Sequence, residues 1–197
     1  MLKNRLKSKN LILASGSLRR QELLKSLGVP FEIRLKKIDE NYPKHLKRSE
    51  ISDYLAQLKS NAFVEELSLK DLLITSDTIV WYHNMALGKP ISKDDAFQML
   101  QKLSGKTHEV ITSVCLKSLQ KEDIFNSITK VTFKELSSEE IQFYIDNYNP
   151  MDKAGAYGIQ DWIGQIGVTK IEGSYFNVMG FPIHKIYSQL LKFSKEL

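Results

Sequence analysis

LILASGSLRRQELL, residues 11–24, is the stretch from which the rest of the chain can be read. The apolar run at 11–14 reads as a buried strand, Ser15–Ser17 as the turn leaving it, and leucines at 23, 24 and 27 as one face of a helix. Ser17 stands where an N-cap belongs, which puts Arg19 and Arg20 in the first helical turn. Cations there face the positive end of the helix dipole, at a cost of about 0.3–1 kcal/mol each. A bound phosphate resolves the conflict, since it uses the free backbone N–H groups, the dipole and both guanidiniums together. Pairing of the arginines with Glu22 or a distant acid is the structural alternative. No GxxxxGK[ST] and no GxGxxG occurs, so P-loop and Rossmann readings lose ground.

Outward from this motif, the pattern is that of an α/β chain. FEIRL (31–35) alternates as a strand, and Ser49 to Leu67 reads as a helix with Ile51, Leu55, Leu58, Ala62 and Val64 inward. LLIT (72–75) is a second buried strand. A helix starts at Ser92 and ends near Gly105, with Asp94 and Asp95 favourably placed in its first turn. Strands are expected at 108–119 and 127–136 with KED between them, followed by a capping-box helix from Ser137. DKAGAYGIQ reads as an ordered loop, and FPIHKIYSQLLKF as a closing amphipathic helix with Pro182 near its first turn. The leading MLKNRLKSKN reads as a frayed lead-in. The expected organisation is a single α/β domain over residues 1–197, with no clean internal boundary.

Composition narrows the class. At 197 residues the chain can bury a sizeable core without a staple, and its single cysteine, Cys115, precludes an internal disulfide. Cys115 lies in the apolar run VITSVCL and reads as a small core residue in a reduced, cytoplasmic protein. The N-terminal stretch lacks the apolar length of a signal peptide or a bilayer span. A formal charge of +5, spread along the chain, suits an anionic small molecule or weak nucleic-acid affinity. Basic and aromatic residues do not interleave into a patch, so nucleic acid is not the expected partner.

Asp77 follows LLIT directly, which places an acid at the end of a buried strand, where open α/β sheets bind ligands. Such a carboxylate can hold Mg²⁺ against substrate phosphates, although a capping or turn aspartate is the commoner case. Asp39 and Glu40 in KIDEN offer a second carboxylate or a group to activate water, and adjacent loop acids are otherwise merely solvated. Lys89 in GKP and Lys153 in MDKAGAYG are bordered by small or rigid residues that can hold an ammonium near a polyanion. His108 opens a strand and reads as a structural hydrogen bonder. The histidines at 45, 83, 108 and 184 have no HxxxH or HExxH spacing, and no GxSxG elbow occurs.

ASGSLRRQELL, SDTIV, LGKP, LSGKTHEVIT, DKAGAYGIQ and IEGSYFNVMGFP, in this order and spacing from about Leu11 to Leu191, resemble the Maf nucleotide pyrophosphatases. The resemblance implies an α/β fold related to the inosine-triphosphate pyrophosphatases. That fold has a mixed, curved sheet, flanking helices, a cleft between two lobes and commonly a homodimeric state. It also implies hydrolysis of nucleoside triphosphates to the monophosphate and pyrophosphate, assisted by Mg²⁺ or Mn²⁺. Asp77 resembles the family's catalytic acid and Glu40 the acidic residue beside the metal. Ser15, Ser17, Arg19, Arg20 and Lys89 resemble its phosphate-binding set. Arg19, Thr78 and Gln160 fall where the branch acting on dTTP and UTP carries its selectivity residues, and a glutamine amide can both donate to and accept from a pyrimidine edge.

Three positions depart from the family pattern. Leu18 replaces a common proline. Asn61 stands where a helix lysine is usual, with Lys59 close enough in sequence to substitute. Asp161 and Trp162 replace a small-residue pair after GIQ, where a bulky indole bears on the base pocket. The competing expectation is a non-catalytic nucleotide- or nucleic-acid-binding regulator of cell division, distinguished by the absence of pyrophosphate release.

Overall fold

The computed structural model describes residues 2–194. Among them seven strands form one mixed sheet in the order β2-β1-β3-β5-β6-β7, with β4 paired to β3. The strands are β1 (Asn10–Leu13), β2 (Glu32–Ile33), β3 (Asp71–Tyr82), β4 (Met85–Leu87), β5 (Thr107–Lys117), β6 (Glu122–Phe133) and β7 (Val168–Glu172). The helices are α1 (Leu2–Arg5), α2 (Leu18–Lys25), α3 (Ser49–Asn61), α4 (Lys93–Leu103), α5 (Ser138–Tyr148), α6 (Trp162–Gly167), α7 (Tyr175–Val178) and α8 (Ile183–Phe193). The chain divides into two compact units. The first draws on residues 1–77, 112–127 and 180–197, the second on 78–111 and 128–179. Strands β3, β5 and β6 contribute residues to both.

In the first unit β1 lies between β2 and the first part of β3, parallel to both, with Leu13 opposite Ile33 on one side and Ile74 on the other. A strand flanked by parallel neighbours and covered on both faces needs an unbroken apolar run, which is why Leu11, Ile12 and Leu13 are all buried. Ile12 and Leu73 pack with Phe63 and Leu67 beyond the end of α3. The N-terminal stretch is a correction to the frayed lead-in expected above. Leu2 and Leu6, four residues apart and therefore on one helical face, are both buried, α1 lies against α8, and Arg5 Nη1 donates to Leu191 O at 3.2 Å.

In the second unit β3 pairs antiparallel with β4, and β6 with β7, the latter with a register shift at Thr132/Phe133. The core there gathers Leu100, Val131, Phe133, Tyr144 and Ile163. α4 starts on Ser92, whose side chain accepts from Asp95 N, and α5 on a full capping box between Ser137 and Glu140. Elements α6 and β7 are absent from the sequence reading. α6 is only 6 residues long, and β7 has apolar residues only at Val168 and Ile171 and buries none of its residues.

Other boundaries shift for local reasons. FEIRL shrinks to the two-residue β2, an edge strand with Ile33 and Leu35 exposed. α3 stops at Asn61, a 3₁₀ turn follows at Val64–Glu66, and Val64 is exposed. The hairpin turns at Ser118–Lys121, with Ser118 N donating to Lys121 O at 2.8 Å, so Glu122 and Asp123 belong to β6 and not to the turn.

Candidate active site

Asp77 lies inside β3, which continues five residues past it to Tyr82. This corrects the expectation of an acid at a strand end and removes the cap or turn alternative. TIVWY, all β-branched or aromatic, carries the strand onward. From α3, Lys59 Nζ reaches Asp77 Oδ1 at 2.7 Å and Glu40 Oε1 at 3.0 Å. Two carboxylates from distant parts of the first unit thus converge on one ammonium. The Asp77 and Lys59 side chains are largely buried, whereas that of Glu40 is 45% exposed.

Each partner is held from behind. Thr75 Oγ1 on β3 donates to Ala56 O of α3 at 2.6 Å. Helix α3 is also tied to Glu122, which accepts from Gln57 Nε2 and Lys117 Nζ, both at 2.5 Å. Burial alone would raise the Glu122 carboxyl, but Lys117 and Gln57 hold it below its ordinary value. Lys117 Nζ also donates to Asn61 Oδ1 at 2.5 Å, so Asn61 belongs to this network while Lys59 is the helix lysine that meets Asp77. The irregular loop bearing Glu40 is fastened at both ends. Lys36 Nζ donates to Ala62 O at 2.7 Å, and Lys47 N donates to Glu50 Oε2 at 2.9 Å. Asp39 is turned to its own loop, accepting from Asn41 Nδ2 at 2.8 Å.

The turn before α2 is where the sequence reading placed it, with different bonding. Ser17 occupies the N-cap position in extended conformation without a side-chain capping bond, and its N–H donates instead to Ser15 Oγ at 3.3 Å. Gln21 Nε2 donates to Ser15 O at 3.1 Å. Arg20 Nε donates to Gly180 O at 2.9 Å and Nη1 to Ser76 O at 2.8 Å, so part of its fork fixes the backbone next to Asp77. Burial lowers the Arg20 pKa, Asp77 partly offsets this, and a guanidinium remains charged at neutral pH in either case. Ser76 Oγ, beside Asp77 in the chain, is buried and has no hydrogen-bond partner among the described residues.

The remaining candidates lie in the second unit. Thr78 is half-buried on β3 and Lys89 is exposed. Lys153 Nζ stands 2.7 Å from Asp152 Oδ1 and 3.9 Å from Asp161 Oδ2. Gln160 Nε2 donates to Asp161 Oδ1 at 3.1 Å, and Gln160 lines a hollow of about 280 Å³ with Ile159, Val168, Ile171 and Tyr175. Trp162 does not line that hollow. Its ring packs on Phe143 at 4.8 Å, so the indole leaves this hollow's wall unchanged. His108 is structural, as expected, with Nε2 at 2.7 Å from Tyr157 Oη. Cys115 is buried against Ser60 Oγ and its thiol is pushed up to about 11 by burial, which makes it no nucleophile.

Among the described residues no three His, Cys, Asp or Glu side chains cluster as a metal centre, and no helix is long and apolar enough to cross a membrane. Asp77 and Glu40 do fit a hard divalent cation. They offer oxygen donors only, they already converge on a cation, and Mg²⁺ commonly takes one or two carboxylates and completes its shell from water and phosphates. The feature the sequence reading undervalued is Lys59, which it treated as a substitute for a lysine at position 61. The spacing of α3 contained the signal, because Lys59 lies one turn after the buried Leu55 and Ala56 and so on the buried side of the helix.

The model of the family described as Maf-like protein matches residues 10–193. A protein of Flavobacterium psychrophilum named dTTP/UTP pyrophosphatase is 59% identical, covering 97% of this chain and 98% of its own. Proteins of the same name from Flavobacterium johnsoniae and Phocaeicola vulgatus are 57% and 54% identical, covering 96% and 98% of this chain and 98% and 100% of their own. A solved nucleoside-triphosphatase (dITP/XTP pyrophosphatase) of Mycobacterium abscessus is a looser likeness. It has a TM-score of 0.40 and 13% identity over 64% of this chain and 75% of its own.

Proposed function

The chain belongs to the Maf-like protein family, and we propose that it hydrolyses dTTP and UTP to the monophosphate and pyrophosphate. The names of its relatives supply the substrates, and the observation that carries the chemistry is the convergence of Asp77 and Glu40 on Lys59 Nζ. Asp77 and Glu40 would hold the divalent cation, Mg²⁺ or Mn²⁺, which when bound neutralises phosphate charge and lowers the pKa of a water. One of these carboxylates orients the water and takes its proton. The water oxygen bonds to the α-phosphorus, the bond from that phosphorus to the α,β-bridging oxygen breaks, and pyrophosphate leaves.

Lys59 keeps the two acids together and compensates their charge. Arg20 fixes the Ser76 carbonyl and so the strand segment that presents Asp77. Ser15, Ser17, Arg19, Lys89 and Lys153 are assigned to the phosphates, where positioned charge contributes several kcal/mol. Arg19, Thr78 and Gln160 are assigned to the base. The same reading includes a cytoplasmic homodimer, which light scattering and cell fractionation test directly.

Purified protein with Mg²⁺ and dTTP, UTP, CTP or a 7-methylated guanosine triphosphate should release pyrophosphate from the first two. No release from any of the four would overturn the reading in favour of a nucleotide-binding regulator.

A further inference from the structure

Gln160 Oε1 is buried and has no hydrogen-bond partner among the described residues, while the amide nitrogen of the same side chain is engaged with Asp161 Oδ1 at 3.1 Å. A carboxylate only accepts, so the nitrogen must face it and the oxygen must face away. Asp161 is itself immobilised. Tyr144 Oη donates to Asp161 Oδ2 at 2.7 Å and accepts from Gly158 N at 3.0 Å. Gly158 makes the room for this arrangement, since a Cβ there would lie 2.5 Å from Asp161 Oδ2 and 2.8 Å from Gln160 Nε2. The chain Gly158–Tyr144–Asp161–Gln160 therefore fixes which end of an otherwise ambiguous amide is available. Gln160 also lines the hollow shared with Ile159, Val168, Ile171 and Tyr175.

We propose that Asp161 is a specificity-determining positioning residue. By holding the Gln160 amide with its nitrogen inward, it leaves the carbonyl oxygen for the base and selects pyrimidines that carry N3–H over cytosine, whose N3 accepts. This deepens the reading above and rests on the assignment of Gln160 to the base. Uracil and thymine satisfy the orphaned oxygen with a donor. Cytosine sets a lone pair against it, so discrimination comes from repulsion as well as attraction.

The test is kcat/KM of the full chain for UTP and CTP, before and after Asp161→Asn. An asparagine whose oxygen keeps the bond from Tyr144 turns its nitrogen to Gln160, so Gln160 must present its oxygen to that nitrogen and its own nitrogen to the base. The UTP:CTP ratio should fall by about 10-fold or more, mainly through a gain with CTP. A merely structural role would lower both nucleotides together, so an unchanged ratio overturns the proposal. The wild-type chain gives a second measurement independent of the variant's folding. Uridine triphosphate methylated at N3 should lose roughly 30-fold or more in kcat/KM relative to UTP, and equal turnover of the two also overturns it. Absence of pyrophosphate release from every nucleotide by the wild-type chain instead overturns the function on which the proposal stands.

Discussion

Asp77 and Asp161 are both largely buried carboxylates, and their surroundings treat them in opposite ways. Asp77, in the first unit, is satisfied by a lysine ammonium at 2.7 Å that it shares with Glu40. Asp161, in the second, accepts from two neutral donors, the Tyr144 hydroxyl and the Gln160 amide, with Lys153 no closer than 3.9 Å. A carboxylate pair held by the monovalent ammonium at the end of a lysine side chain can exchange that partner for a divalent ion. A carboxylate held by neutral donors in fixed directions cannot, and its use is to orient those donors. The difference separates a site suited to chemistry from one suited to recognition, and each prediction below either breaks that separation or sharpens it.

The largest effect is expected at Asp77. Asp77→Asn keeps the shape of the side chain and removes the charge, so pyrophosphate release should fall by about 10³-fold while thermal stability stays close to that of the parent. Near-normal turnover would show that Asp77 is only a partner for Lys59.

Lys59→Met comes next. The methionine keeps the apolar stem but takes the ammonium from between two acids, and turnover should fall by about 10²–10³-fold. The informative readout is calorimetric titration with Mg²⁺. If the ammonium stands where a divalent cation would act, removing this competitor tightens Mg²⁺ binding even as catalysis is lost. Lys153→Met, near Asp161, should leave Mg²⁺ binding unchanged. Equal effects of the two substitutions would erase the distinction between the carboxylates.

How much of this was legible beforehand follows from the kind of interaction involved. The strand and helix of residues 10–25 were readable because both are set by local apolar spacing, and the α4 and α5 starts because each cap lies within three residues of its partner. Strand β3 was read as four residues and has 12, since the polar Ser76 and charged Asp77 interrupt the apolar run before the β-branched and aromatic TIVWY resumes it. Lys59, Glu40 and Asp77 were each visible as residues, but nothing local in the sequence says that positions 40, 59 and 77 meet. The same holds for Arg20, whose place in the first turn of α2 suggested an anion, although part of its fork lies on carbonyls 56 and 160 residues away. The lock on Gln160 falls between these cases. Asp161 stood out as a departure from the family pattern, but Tyr144, 17 positions earlier, gave no sign of reaching it.

The second unit holds another buried polar pair made of neutral groups, and it predicts a pH dependence of folding. Burial lowers the His108 pKa from 6.5 to about 4, its Nε2 lying 2.7 Å from Tyr157 Oη. The unfolded chain therefore takes up a proton near pH 6.5 that the folded chain resists until about pH 4. The contribution is complete above pH 6.5 and is lost as pH falls from there toward 4, by about 3 kcal/mol across the window. Urea denaturation at pH 7, 6, 5 and 4 should show this acid slope in the parent and a shallower one in His108→Gln. A slope unchanged by the substitution would assign the acid sensitivity elsewhere.

The smallest effect serves as the control for all of these. At the start of α5, Ser137 Oγ accepts from Glu140 N at 3.1 Å and Glu140 Oε2 accepts from Ser137 N at 2.9 Å, while Lys134 holds the Glu140 carboxyl below its ordinary value. Ser137→Ala removes one half of this box and should cost about 1 kcal/mol of stability. Because α5 also carries Tyr144, which orients Asp161, the variant asks whether loosening the helix start reaches the recognition network. Tyr144 lies almost two turns beyond the cap and is fully buried, so the loss should stay at the helix end and the UTP:CTP ratio should not move. If the ratio falls together with stability, the orientation of Gln160 depends on the general rigidity of α5, and Asp161 loses its special place in the comparison.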